Sequence, residues 1–458
     1  MDIIAALDNY PYYKQAGIST GSSSVPYLFI VIVFTLTVFL VEIYLDFRQL
    51  HNFKTATKVD SHLEKHIDHD TFTKTLKYNA AKYSFSIFET ILALVQGIIL
   101  LVLGFMPWSW DFATNTAIKY GLIINSNSDL YKEFIVTLIF FGIVTTFEML
   151  WSLPFQLWKT FVIEEKYGFN KQTLRLFFED KVKYVLLLFL IGSPIAGGII
   201  AIVRWGGPNF YFYVWGFCFI VMMVMMFIFP EYIAPWFNKY EPLTDGPLYS
   251  AIEKLASRDD VKFPLTKLFV MDGSKRSAHS NAFFYGFFKN KRIVLFDTLI
   301  KQVDTEELLA ILGHEIGHWK LWHTIQGLVI SQLYLFLQFL YFSYVQNSAE
   351  LFTAFGFKYK GPMPVFIGLT LFSQVFMYPV DKVLNLAMNY NSRYNEFMAD
   401  NYAVKLNMGE KLKSGLIKIS IENLGNMVPD KLYSAYHFSH PPLVERLRAI
   451  DEALAKTK

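Results

Sequence analysis

Phe210-Tyr211-Phe212-Tyr213-Val214-Trp215-Gly216-Phe217-Cys218-Phe219-Ile220-Val221-Met222-Met223-Val224-Met225-Met226-Phe227-Ile228-Phe229-Pro230 is an unbroken stretch without a single charge. A helix of that length rises far enough to cross the roughly 30 Å hydrocarbon core of a bilayer. Similar runs lie near residues 26–44, 84–106, 134–155 and 182–203, and two more, interrupted by polar residues, lie near 323–345 and 363–388. Seven spans are therefore expected. Composition agrees, because hydrophobic residues make up 53% of the 458 and charged residues only 18%. Soluble domains carry about a quarter charged residues, so the excess apolar surface needs an apolar solvent.

The loops between the runs test that count. The loop 45–83 carries Arg48, Lys54, Lys58, Lys65, Lys74, Lys77 and Lys82, and the loop 156–181 carries Lys159, Lys166, Lys171, Arg175 and Lys181. The intervening loop 107–133 has only Lys119 and Lys132, and the loop 346–362 only Lys358 and Lys360. The segment 231–322 is again rich in Lys and Arg. Positive charge marks the cytosolic side, so this alternation places loops 45–83, 156–181 and 231–322 and the C-terminus in the cytosol, with the N-terminus lumenal. The expected organisation is a lumenal tail over 1–25, five spans over 26–230, a cytosolic domain over 231–322, two spans over 323–388, and a cytosolic part over 389–458.

Several classes of function fall away. The net charge of +3 comes from scattered basic residues, which excludes a nucleic-acid partner. Cys218 is the one cysteine, so neither a disulfide within the chain nor a thiolate zinc site can form. The first 25 residues have no basic segment ahead of a short apolar core, so the first span reads as an uncleaved anchor. Glu148, Gln332, Gln338, Gln374, Asp381 and Asn385 sit inside spans, where such groups either hydrogen-bond between helices or line a wet cavity.

His314-Glu315-Ile316-Gly317-His318 is the second informative stretch. Histidines four apart on a helix project from one face and can share a Zn²⁺ ion. The intervening glutamate is then placed to deprotonate a water that zinc has made acidic, with a pKa of about 7. The residues before it support a helix. Asp304 is a candidate N-cap with Glu307 completing a capping box, and Leu308, Leu309, Ile311, Leu312 and Ile316 give it an apolar face.

Two histidines leave one protein ligand to find. No third histidine follows at a metzincin spacing, since residue 324 is Thr. His323, five after His318, falls off the shared face and reads as an interfacial residue. Glu396 lies at the cytosolic end of the last span, on the same side as the histidine pair, and Asp400 is one turn further on. Such a pair of acids is either a solvated helix face or a ligand with a partner for a ligand imidazole.

Six blocks of sequence together resemble the type I CAAX prenyl proteases, membrane zinc metalloproteases related to the bacterial HtpX proteases. They are Val162-Ile163-Glu164-Glu165-Lys166-Tyr167-Gly168-Phe169-Asn170, Asp272 through Ala282, Arg292 through Leu299, His314 through Trp319, Glu396-Phe397-Met398-Ala399-Asp400, and His437 through Leu447. The match extends over nearly the whole chain. The resemblance implies an all-α multi-pass fold of seven transmembrane helices enclosing a large water-filled chamber. A cytosolic gluzincin-type zinc protease domain with a small β-hairpin or sheet would cap it.

The same resemblance implies that His314, His318 and Glu396 bind one Zn²⁺ and that Glu315 is the general base. It makes His440 the hydrogen-bond donor to the tetrahedral intermediate, with Asp400 orienting a zinc histidine and Arg446 pairing with Asp400. Without it, His440 and Arg446 read as a surface loop and a tail helix. His279 to Phe288 and Lys291 to Phe296 read as two strands about a Lys289-Asn290 turn. Asn281 and Ala282 then lie either in an ordinary hairpin or on an edge that takes substrate by strand addition.

The implied activity is removal of the last three residues of prenylated Cys-a-a-X proteins, with a second upstream cut in precursors of the mating-pheromone or prelamin type. The implied setting is the endoplasmic reticulum and inner nuclear membrane, with a monomer in the lipid bilayer and prenylated proteins as partners. Two other readings compete. One is an HtpX-like quality-control protease for misfolded or translocon-trapped proteins, against which the Glu164–Asn170 block and seven spans argue. The other is a channel or transporter with a structural metal site.

Overall fold

The computed structural model describes residues 25–286, 291–357 and 362–457. The tail before residue 25, the Lys289-Asn290 turn, and Lys358 and Lys360 fall outside the described residues.

The membrane part begins with α1 (Tyr27–Thr55), α2 (His69–Val102), α3 (Phe105–Lys119), α4 (Asp129–Trp158), α5 (Leu174–Trp205) and α6 (Phe210–Ile228). Asp68, Ser128 and Thr173 cap α2, α4 and α5 by accepting from backbone N–H groups three residues on. The segment after α6 folds as strand β1 (Tyr240–Pro242), helix α7 (Gly246–Ser257), strands β2 (Leu265–Met271), β3 (Ala282–Tyr285) and β4 (Lys291–Phe296), and helices α8 (Asp297–Gln302) and α9 (Thr305–Lys320). Then follow α10 (His323–Val345), α11 (Ala349–Ala354), α12 (Val365–Phe372) and α13 (Tyr378–Lys405). The chain ends with α14 (Gly409–Glu422), α15 (Lys431–His437) and α16 (Leu443–Thr457).

Six helical stretches among the described residues are long and apolar enough to cross a membrane: 27–55, 69–102, 129–164, 174–205, 207–236 and 323–345. The seventh expected span behaves differently. From Val365 the chain runs through α12, a π turn at Ser373–Met377 and α13 as one helical column to Lys405. Its apolar half is buried against neighbours rather than turned to lipid, with Ile367, Leu371 and Phe372 fully enclosed. The expected division at residue 388 therefore falls inside one helix, and the helix that ends in the membrane also carries Glu396. The loops are shorter than expected, because 107–133 is largely occupied by α3 and the start of α4.

Neighbours in the membrane part form a circuit. α1 packs on α2, α3 links α2 to α4, and α4, α5, α6 and α10 follow in turn. The column closes the circuit by touching α10 through α12 and α1 through its π turn. The column also touches α5 through α12. α3 and α11 share a core with α1 and α4, in which Ala113, Ala117, Leu351 and Phe352 are nearly solvent-free beside Leu28 and Val136. Of the polar span residues, Gln374 and Asp381 line a cavity of about 330 Å³ with Thr35 and Tyr378, and Glu148 is exposed.

The water-side domain is a four-stranded sheet in the order β1-β2-β4-β3, parallel between β2 and β4 and antiparallel elsewhere. Its core joins Leu268, Ile293 and Leu295 of the sheet to Leu308, Leu312 and Ile316 of α9 and to Ala403 of α13. The hairpin expected from sequence is thus two strands of a larger sheet. β3 spans Ala282 to Tyr285, starting three residues later than expected, and forms one edge among the described residues, while Phe287 and Phe288 lie outside them.

Candidate active site

α9 starts as its sequence dictates. Asp304 accepts from the Glu307 N–H at 2.9 Å while Glu307 Oε2 accepts from the Asp304 N–H at 2.9 Å, closing the capping box. Glu307 is buried, and its remaining acceptor capacity meets Ser414 at 2.5 Å and Lys418 at 2.7 Å. These contacts tie the first turn of α9 to α14. The last turns, which carry His314 and His318, cross α13 closely because Gly317 has no side chain. A Cβ there would sit 3.2 Å from Ala399 Cα, Ala399 O and Tyr402 Cβ.

That crossing brings three groups together. His314 Nε2 and His318 Nε2 are 3.1 Å apart, His318 Nε2 is 3.2 Å from Glu396 Oε1, and His314 Nε2 is 3.5 Å from Glu396 Oε2. Ligands at tetrahedral angles and about 2.05 Å from zinc would be separated by about 3.3 Å, so the triangle fits that ion. Protonation argues the same way. His314 Nδ1 lies 2.8 Å from Asp400 Oδ1, which assigns the proton to Nδ1 and leaves a lone pair on Nε2. A lone pair and a carboxylate then face one point, and Glu396 Oε2 is buried without a hydrogen-bond partner. A cation satisfies this arrangement. His314, His318 and Glu396 are also a metal-compatible cluster by distance, all ligand atoms lying within 4.8 Å of one another.

Around this triangle the other sequence-identified residues converge. Arg446 grips Asp400 with two hydrogen bonds, Nε to Oδ2 at 2.9 Å and a terminal nitrogen to Oδ1 at 2.6 Å, and also stands 3.4 Å from Glu396 Oε2. Burial alone would raise the Asp400 carboxyl, but the Arg446 charge and the hydrogen bonds from His314 and Arg446 hold it below its ordinary value. Burial likewise opposes ionisation of Glu396, yet the His318 hydrogen bond and the charges of Arg446, His314 and His440 bring it down to about 2. Glu315 differs. Burial raises its carboxyl, and His314 and His318 only partly oppose this. His440 Nε2 lies 3.3 Å from Glu396 Oε1 on an exposed loop, so it stands at the mouth of the site.

Three features escaped the sequence. Arg393, one turn before Glu396, donates to the Phe438 carbonyl at 2.6 Å, and Asn389 donates to the Tyr436 carbonyl at 2.8 Å. Together they moor the His440 loop to α13. His323 is not merely interfacial. The helix breaks at Leu321 and Trp322, where Trp322 takes φ 63°, and the chain turns back so that His323 Nδ1 lies 2.9 Å from His318 Nδ1. An uninterrupted helix would have pointed His323 away, and neither Gly nor Pro announces the break.

The substrate-side residues are only partly gathered. Phe283, Phe284, Tyr285 and Gly286 line a cavity of about 1470 Å³ together with Glu315 and His318, but Asn281 and Ala282 do not. The Ala282 N–H is already taken by Asn281 Oδ1 at 2.8 Å, and the Asn281 carbonyl accepts from the Phe296 N–H at 3.1 Å. The free edge nearest Glu315 is therefore the stretch after Ala282.

Known proteins resemble the chain along its length. Residues 49–239 match a family model described as CAAX prenyl protease N-terminal, five membrane helices, and residues 242–454 match peptidase family M48. A CAAX prenyl protease 1 homolog of Arabidopsis thaliana is 45% identical over 435 residues, covering 95% of this chain and 100% of that protein. A homolog of the same name from Oryza sativa subsp. japonica is 44% identical, covering 94% and 99%. The crystal structure of S. mikatae Ste24p superposes with a TM-score of 0.86 at 38% identity, covering 93% of this chain and 100% of that one.

Proposed function

Since this chain belongs to the CAAX prenyl protease 1 family within peptidase family M48, we propose that His314, His318 and Glu396 hold one catalytic zinc ion. The chain is a multi-pass membrane metalloprotease that processes CAAX proteins. The observation that carries the site assignment is the triangle of His314 Nε2, His318 Nε2 and Glu396 Oε1/Oε2, with sides of 3.1, 3.2 and 3.5 Å.

The ion, when bound, supplies Lewis acidity that acidifies a water molecule and polarises a peptide carbonyl. Glu315 accepts the proton of the attacking water and returns it to the departing amine. Burial raises its carboxyl, which favours its taking up the proton. His440 donates from Nε2 to the oxygen on which charge develops, a contact of the kind that contributes several kcal/mol elsewhere. Asp400 fixes the tautomer of His314, and the two-pronged grip of Arg446 fixes Asp400. The β3 edge from Phe283 to Tyr285 is open on one side and faces the same cavity as Glu315, which suits an extended peptide.

The substrates are prenylated proteins whose final three residues are released, and the same groups serve a second upstream cut in longer precursors. All the groups come from one chain, so a monomer suffices. The active site faces the cytosol and the N-terminus the lumen of the endoplasmic reticulum, including its extension as the inner nuclear membrane. A glycosylation acceptor introduced at residues 121–127 should be modified and one beyond residue 457 should not; the reverse pattern would invert the topology.

Glu315→Gln tests the chemistry. Cleavage of a farnesylated CAAX peptide should fall by about 10²–10⁴-fold while one zinc per chain is retained. Surviving cleavage would refute the role of Glu315. Equal cleavage of farnesylated and unmodified peptide by the wild-type protein would refute the prenyl requirement.

A further inference from the structure

The cavity beside Glu315 is more apolar than peptide hydrolysis requires. One wall is a helical stripe along α6 and into the turn that follows it: Phe219, Met222, Met223, Met226 and Phe229 recur at helical spacing, with Met225 beside them. Apart from Met222, whose sulfur accepts from Gln332 Nε2 at 3.3 Å, and Phe219, which stacks on Trp215, the stripe faces the cavity. The buried core around α6 uses the other half of the helix, Phe210, Val214, Trp215, Phe217 and Cys218, and none of the four methionines. The opposite walls are the first turns of α10, the Met388–Asn395 stretch of α13, and the β3 edge.

We propose that this methionine-lined cavity is the seat of the substrate's isoprenoid chain. The inference rests on the CAAX-processing function and assigns residues to it. The prenylated cysteine immediately precedes the scissile bond, so its thioether leaves the peptide within one residue of the attacked carbonyl. The chain must enter whatever apolar space borders Glu315 and His318, and this cavity borders both. Methionine suits the task. Its unbranched, polarisable side chain adapts to an irregular, methyl-branched polyene better than a rigid aliphatic wall does. Size agrees too. Pockets for small ligands hold about 300–1000 Å³, so about 1470 Å³ leaves room for the isoprenoid and the peptide end together.

The test compares two peptides of one sequence, farnesylated and geranylgeranylated, on full-length protein in lipid vesicles. Met223→Trp and Met226→Trp shorten the cavity and should lower kcat/KM for the longer chain about tenfold more than for the shorter. Met226→Ala, which lengthens it, should shift the ratio the other way. Equal effects on both substrates in zinc-loaded, folded variants would overturn the proposal. A second measurement stands even if a variant fails to fold. A photoactivatable farnesyl peptide added to Glu315→Gln protein should label residues 219–229, and excess farnesylated peptide should suppress the label. Labelling confined to elements that do not line the cavity, or suppression by phospholipid as effective as by peptide, would assign the cavity to bilayer lipid and overturn the proposal. A wild-type enzyme indifferent to prenylation would instead defeat the function, whereas a prenyl-dependent wild type with an unmoved ratio defeats this assignment alone.

Discussion

His323 Nδ1 lies 2.9 Å from His318 Nδ1, so His318 is held at its rear by a residue that belongs to the next helix. His314 has the equivalent support from Asp400 at 2.8 Å. A ligand imidazole is oriented by what its second nitrogen meets, and losing that partner elsewhere lowers metal affinity about 10–100-fold. His323→Ala should therefore weaken zinc binding by about that factor in a chelator competition. His323→Asn, whose carbonyl oxygen can stand near the lost Nδ1, should restore most of it. Unchanged affinity in both variants would make the contact incidental.

Gly317 sets how closely α9 approaches α13. A methyl group there meets backbone atoms of Ala399 at 3.2 Å, and backbone cannot swing aside as a side-chain tip can. Overpacking of this kind costs about 1–3 kcal/mol. Because Glu396 lies one turn before Ala399–Asp400, the helix shift also spoils the triangle. Gly317→Ala should lower the unfolding temperature and reduce zinc occupancy together. A variant with full occupancy would show that the crossing has slack.

Arg446 and Asp400 form a buried ion pair, with Asp400 almost solvent-free. Removing one partner of such a pair leaves an uncompensated charge, at about 3–5 kcal/mol. Arg446→Met should therefore destabilise the protein strongly, and adding Asp400→Asn should recover stability. Activity should not return with it, because Asn cannot hold His314 as a carboxylate does. Denaturant unfolding and peptide cleavage, measured on the same preparations, distinguish the two effects.

The membrane spans were legible because lipid imposes a rule the chain cannot evade, and α6 obeys it without a charge. The His314–His318 pair was legible because both residues and their spacing sit on one helix with a readable cap at Asp304. Glu396 needed topology and resemblance, since nothing local separates a buried acid on a helix from a solvated one. His323, Arg393 and Asn389 stayed hidden because their roles depend on a helix break at Trp322 and on a loop docked by tertiary contacts. Strands β1 and β2 were not foreseen, and β1 has only three residues, with no alternation long enough to read.

Glu307 gives the water-side domain an acid-sensitive joint. Burial would raise its carboxyl, but the hydrogen bonds from Lys418, Ser414 and the Asp304 N–H hold it below the ordinary value. A folded value below the unfolded one, about 4.3, means that the unfolded chain binds the proton more readily. The stabilisation is complete above the unfolded value and disappears as pH falls through the folded one. Glu307→Gln should therefore unfold at lower temperature than wild type at pH 7, consistent with the loss of charge-assisted hydrogen bonds of about 1.5–3 kcal/mol. The gap should narrow as pH drops below about 4.3, because wild type then loses what the variant already lacks. Lys418→Met should lower stability at pH 7 as well, having removed the cation that holds the carboxylate ionised. A gap that stays constant from pH 7 into the acid range would mean that the joint works through shape alone, and would remove charge from the account of how α9 is anchored to α14.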